Sequence, residues 1–176
     1  MKRKQKKFSW PRKLFDKIRI TEENKLVEKY GLKNKKEIWK TEAKIKVFRT
    51  RAKSLLSSEE AEQKKFFNKL NLLGLKIETI TGVLALNVED LLKRRLSSML
   101  VTNKVCNTAK EARQMVVHRN ILVDGRVINI PSYLVNVDEE KKLKKKLKKG
   151  KKALILKKTE SSDKLDNVNK IELEVK

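Results

Sequence analysis

Residues 91–135, LLKRRLSSMLVTNKVCNTAKEARQMVVHRNILVDGRVINIPSYLV, change their apolar period part-way along, and that change constrains the fold more than any other feature. Leu91, Leu92, Leu96, Met99 and Leu100 recur at helical spacing, so one side of a first helix is apolar. Asn87 is placed to cap this helix, with Glu89 and Asp90 in its first turn. A second helix opens at Thr108, and Glu111 three residues later completes a capping box. Ala109, Ala112, Met115 and Val116 then face inward, while Lys110, Arg113, Gln114 and His118 face out. After Asn120 the apolar runs become short and β-branched on either side of Asp124-Gly125, the mark of a two-residue hairpin turn. The spacing predicts two short helices packed on a hairpin or small antiparallel sheet, an α+β module.

The outward side of this module carries Arg94, Arg95, Lys110, Arg113, Gln114, His118, Arg119, Asn120 and Arg126. Arg offers a forked donor, Lys a point charge, and Asn or Gln an amide that reaches base edges or sugar hydroxyls. A solvated helix face is the plain alternative. The whole chain favours the first reading: its 176 residues carry a formal net charge of +24, which points to a polyanion. Nucleic acid is the first candidate and an anionic membrane surface the second. No apolar run approaches the roughly 20 residues of a spanning helix, and MKRKQKKFSWPRK lacks the apolar core of a signal peptide. One cysteine, Cys106, excludes an internal disulfide and a cysteine-cluster zinc site, and reads as a small half-buried loop residue. The expected setting is reducing and cytoplasmic. Enzyme chemistry finds no support: there is no Gly-rich nucleotide loop, the lone His118 suits an RNA contact, and Asp138, Glu139 and Glu140 are consecutive and solvated. No cofactor, metal or small-molecule substrate is expected.

Residues 1–20 form a basic arm in which Lys2, Arg3, Lys4, Lys6, Lys7, Arg12 and Lys13 would meet phosphates, with Trp10 and Phe15 packing on later helices. Residues 21–90 read as a helical lobe. Its first helix begins near Thr21 and stops at Gly31, a left-handed cap. The second begins at Asn34, with Glu37 closing a capping box, and runs to about Leu56 with Ile38, Trp39, Ala43, Ile45, Ala52 and Leu55 inward. Lys40, Arg49 and Arg51 lie elsewhere on it and join the candidate RNA contacts. Ser57 and Glu60 suggest a further box opening a helix to Leu73, with Phe66, Phe67 and Leu70 in the core. Residues 74–82 connect this lobe to the module, which extends over residues 91–137. In the tail, residues 138–176, nine of the twelve positions 141–152 are lysine, a density that resists compaction. ALIL and the alternating IELEV within it read as two strands that either pair as a terminal β-hairpin or extend the small sheet.

The order of pieces in residues 94–135 resembles the small RNA-binding domain named after small-subunit ribosomal protein four. Arg95-Leu96 corresponds to the pair that opens the first helix, Ala112-Arg113-Gln114 to the run on the second, and His118 to the turn. Val123-Asp124-Gly125-Arg126 corresponds to the hairpin, and residues 129–135 to the segment that follows. Ser97, Asn129, Ser132 and Tyr133 lie in these matched pieces and join the RNA-binding set. YGLKNKKEIWKTEAKI (30–45) and LNVEDLLKRRLSSMLV (86–101) resemble the archaeal and eukaryotic branch of the ribosomal protein family itself. That resemblance implies a structural constituent of the small ribosomal subunit in the cytoplasm, not a homo-oligomer. Its partners would be small-subunit ribosomal RNA, neighbouring small-subunit proteins and messenger RNA near the entry channel. It would hold a multi-helix RNA junction during assembly and contribute to accuracy. The cysteine cluster of bacterial relatives is missing, which implies no metal. Arg119-Asn120 departs from the more usual second His or Gly at that turn. A free RNA-binding stress or ribosome-recycling factor using the same domain is the alternative; the long helical lobe argues against it.

Overall fold

The computed structural model describes residues 6–146. The expectations for Lys2, Arg3 and Lys4, and for strands at ALIL and IELEV, lie outside the described residues. Helix α1 (Lys17–Tyr30) starts before Thr21 and takes in the end of the expected arm, because Asp16 caps it by accepting from the Ile18 N–H at 3.2 Å. The Thr21 hydroxyl instead donates to the carbonyls of Lys17 and Ile18 inside the helix. Gly31 ends α1 in the left-handed region, at φ 59°. Helix α2 (Lys36–Ser54) begins where the Asn34 side chain accepts from the Lys36 N–H at 3.0 Å. Glu37 does not close the box, since its carboxylate turns to Arg95 and Arg113. A short 3₁₀ turn (Leu55–Ser57) follows and contains Ser57, so helix α3 (Glu60–Leu72) has no side-chain cap. Its first turn is tied down by the Gln63 amide, which donates to the carbonyls of Leu55 and Ser58. Within the expected connector, Thr79 caps helix α4 (Ile80–Ala85).

Asn87 opens helix α5 (Val88–Lys93) as expected, and Asp90 completes a capping box with it. The helix expected to continue from there breaks at Arg94-Arg95, and helix α6 (Leu96–Thr102) restarts the turn. The break has a tertiary cause. The Leu96 N–H donates to the Tyr133 carbonyl at 2.8 Å, and the Val135 N–H donates to the Arg94 carbonyl at 3.0 Å, so Arg95 is extended and bridged to Leu134. Helix α7 (Ala109–Val117) is capped by Thr108, which accepts from the Glu111 N–H, while Glu111 reaches back one residue further than expected, to the Asn107 N–H. Strands β1 (Ile121–Val123) and β2 (Arg126–Val127) pair antiparallel, Leu122 opposite Val127, around Asp124 at φ 49° and Gly125 at φ 77°. Two positive φ values are what a primed two-residue hairpin turn requires.

Folded structure continues beyond Val135. Helix α8 (Val137–Glu140) carries the acids expected to be solvated, but Glu139 accepts from the Tyr133 hydroxyl at 2.7 Å and Glu140 pairs with Arg94. Strand β3 (Leu143–Lys145) then joins β1, giving a three-stranded sheet in the order β2-β1-β3. The α+β class is as expected. One core cluster joins α2, α3, α4 and α5 through Ile45, Ala52, Phe66, Leu70, Val83 and Leu91. A second joins α6, α7 and the sheet through Leu96, Leu100, Ala112, Val116, Ile121 and Val135. Cys106 is fully buried in the second cluster rather than half-buried, its Sγ 3.6 Å from Met115 Sδ. A third, Tyr30, Leu32, Ile38 and Leu92, fastens α1 to α2 and α5. No helix among the described residues is long and apolar enough to cross a membrane.

Candidate nucleic-acid interface

The amphipathicity of α7 sorts its side chains. Ala112 and Val116 are buried, and Lys110, Gln114 and His118 are exposed on the other side. Beyond its last turn, the Arg119 N–H donates to the Val116 carbonyl and the Asn120 N–H to the Met115 carbonyl, both at 3.0 Å. This is a Schellman cap, whose left-handed position normally goes to glycine. Arg119 occupies it at φ 57°, exposed beside His118, with Asn120 half-buried. The structure also exposes Arg126 at the hairpin and Asn129 and Ser132 after it.

Four residues expected to contact RNA instead serve the fold. Arg95 is 2% exposed and pairs with Glu37, because the break between α5 and α6 turns its side chain under α2. Ser97, in the first turn of α6, is buried as well. Arg94 donates to Glu140 and to the Val135 carbonyl, both at 2.9 Å, and its guanidinium lies so close to Gly74 that a Cβ there would fall 2.6 Å from Cζ. Tyr133 is half-buried, its hydroxyl given to Glu139. Arg113 is intermediate: it is partly exposed, yet forks onto Glu37 at 2.8 and 3.2 Å.

On the helical lobe, Lys40 is exposed, with no ion-pair partner among the described residues. Arg49 donates to the Leu86 carbonyl at 2.7 Å, and Arg51 lies over the Phe66 ring, so each has a structural duty alongside its exposed charge. In the arm, Lys6, Lys7, Arg12 and Lys13 are exposed. Trp10 packs on Trp39, ring centroids 5.2 Å apart, with Phe8 against both. Phe15 does not pack: it is 90% exposed, since the Asp16 cap turns the chain into α1 before the ring can reach an apolar neighbour.

The acids explain the electrostatics. Glu23 is buried and holds Arg19, Lys35 and the Trp39 indole. Glu37 holds Arg95 and Arg113, Glu89 holds Lys29 and Tyr30, and Glu140 holds Arg94. Burial alone would raise the Glu37 pKa, but hydrogen bonds from Arg113 and Arg95, and their charges, bring it below the ordinary value. With those carboxylates engaged, Lys110, Arg119 and Arg126 have no ion-pair partner among the described residues. The arrangement can bind an extended polyanion. Among the described residues no group of three or more His, Cys, Asp or Glu could hold a metal ion.

Comparison with known proteins shows the family of the chain. The S4 domain family matches residues 94–141. Over 129 residues the chain is 44% identical to the small ribosomal subunit protein uS4 of Methanococcus aeolicus, spanning 69% of this chain and 73% of that protein. This chain belongs to the uS4 family. The uS4 proteins of Methanothermobacter thermautotrophicus (42% over 146 residues, 78% of this chain and 84% of the relative) and Nanoarchaeum equitans (39% over 151 residues, 81% and 84%) match over still longer spans. As a uS4 family member the chain is a structural ribosomal protein with an S4 domain, not an enzyme. The S4 match starts at Arg94, where the helix breaks, and runs through α8. Sequence reasoning missed that Glu37 pairs with Arg95 and Arg113 and that Glu140 pairs with Arg94. Glu37 is the one acid in KNKKEIWK, and an isolated acid among lysines was the available signal.

Proposed function

We propose that this uS4 family member binds small-subunit ribosomal RNA through one continuous face. That face comprises the exposed side of α7, the turn at His118 to Asn120 and the hairpin end with Arg126, Asn129 and Ser132. The lysines of the arm and of α2 flank it. The carrying observation is that Lys110 and Gln114 on α7, and His118 and Arg119 at its C-terminal cap, lie exposed while Glu37 and Glu140 are engaged in structural pairs. The protein works in the ribosome, in the cytoplasm, beside other small-subunit proteins. It holds a junction of several RNA helices in one arrangement during assembly. The family resemblance supports a position near the messenger RNA entry channel and a contribution to accuracy. The division into arm (1–20), helical lobe (21–90), S4-type module (91–137) and lysine-rich tail (138–176) belongs to the same reading.

The physics is counterion release with rigid positioning. About ten phosphate contacts give an affinity that falls by several decades between low and moderate salt, by analogy with duplex DNA. Sedimentation of the native protein through a sucrose gradient tests the assignment. Co-migration with small subunits is expected; a slow monomer peak would point to a free RNA-binding factor.

A further inference from the structure

Arg95 is almost sealed from solvent, yet only its Nη2 has a partner, Glu37. Its Nε and Nη1 are buried with no hydrogen-bond partner among the described residues. Unsatisfied buried donors are costly, and more so on a charged group. The side chain lines a cavity of about 390 Å³ between α2, α7 and residues 131–134. Lys7, Lys40, Lys44 and Arg113 line the same cavity, and among the described residues Glu37 is the only carboxylate there, so five cations face one anion. The Lys44 ammonium is pushed below its ordinary pKa by desolvation and then by the charges of Arg95 and Lys7. Arg113 connects the cavity to α7, and Ser132 on its wall belongs to the proposed RNA face.

We propose that this cavity seats a single phosphate group, with Arg95 as its floor and Lys40 and Lys44 as its rim, and that on the ribosome the phosphate belongs to the small-subunit RNA backbone. The second half rests on the RNA-binding reading above. The chemistry favours phosphate: a guanidinium with N–H groups to spare and two ammonium groups can surround its several oxygens. A water molecule could accept from Arg95 but would leave the excess positive charge in place.

Two measurements separate the claims. In the first, the free full-length protein is titrated with inorganic phosphate while the Nε–Hε resonance of Arg95 is followed by NMR. A saturable shift is expected, weakened in the Lys40→Gln/Lys44→Gln variant, whose changes are both at exposed positions of α2 and preserve the fold. No shift, or one that the double variant leaves unaltered, overturns the seat. In the second, binding of small-subunit RNA is measured against salt for wild type and Lys40→Gln. The slope of log affinity against log salt is expected to fall by about one. A phosphate-responsive Arg95 with an unchanged RNA slope would mean that the cavity takes free phosphate, which overturns the RNA half alone. Specific RNA binding by wild type without any Arg95 shift overturns the seat and leaves the proposed function standing.

Discussion

Glu37 lies three residues after Asn34, the spacing of a capping box, yet its carboxylate crosses to Arg95 and Arg113. Spacing within a helix reveals the box, whereas the two arginines that outcompete it are 58 and 76 residues away in sequence. A folded-state pKa held below the unfolded value adds stability that is complete above the unfolded value and lost as pH falls through the folded one. The ordinary value is 4.5, so the Glu37 contribution is present at neutral pH and fades on acidification below it. Glu37→Gln should therefore cost about 3–5 kcal/mol at neutral pH, the cost of breaking a buried pair. Urea titrations at several pH values should show the gap to wild type narrowing in acid; a pH-independent gap would contradict the pairing. Arg119 shows the opposite balance, a residue in backbone strain with its side chain in solvent. Arg119→Gly should raise stability by roughly 0.5–1 kcal/mol, seen as a higher Tm, because glycine adopts positive φ without steric cost. It should at the same time weaken RNA binding.

At the scale of elements, four locally declared features stand in the structure, whereas the Thr21 start and the Ser57–Glu60 box do not. The Asn87 cap, the Thr108 cap, the Gly31 stop and the Asp124-Gly125 hairpin each depend on neighbours within a few residues. What escaped sequence reading depends on distant partners. The break at Arg94-Arg95 is imposed by the returning strand-like segment at Tyr133 to Val135, and no local signal interrupts the apolar helical run there. Likewise Glu139 and Glu140 of α8 turn inward, to the Tyr133 hydroxyl and to Arg94, while Asp138 stays exposed. The candidate site was legible as a composition, basic and amide residues on a helix pair, but the break decides which arginines reach solvent. Gly31 couples α1 to the S4 domain: a Cβ there would lie 2.8 Å from the Ala109 carbonyl carbon, at φ +59°. Gly31→Ala should destabilise by about 1–3 kcal/mol from the left-handed backbone alone, with further loss from the collision. Thermal unfolding checks this; an unchanged Tm would mean that α1 and α7 separate freely.

Across the whole molecule, two kinds of basic residue do different work. Arg95 and, in part, Arg113 pair with half-buried Glu37 and so hold the helical lobe to the S4 domain, while Arg94 pairs with half-buried Glu140 inside that domain. Lys110, Arg119 and Arg126 face outward with no ion-pair partner among the described residues, on a chain with net charge +24. Charge reversal at Arg94 or Arg95 would thus report on folding before it reported on RNA. Deleting residues 147–176, which carry nine lysines and five acids, leaves β3 in place. It should lower RNA affinity and make the salt slope shallower while the footprint stays the same. A displaced footprint would mean that the tail selects the site.

The most direct measurement is equilibrium binding of small-subunit ribosomal RNA by Lys110→Glu/Arg119→Glu/Arg126→Glu, three exposed positions without structural partners, at a fixed moderate salt concentration. The account predicts loss of specific binding with helicity and Tm retained. Wild-type affinity in this variant would contradict it.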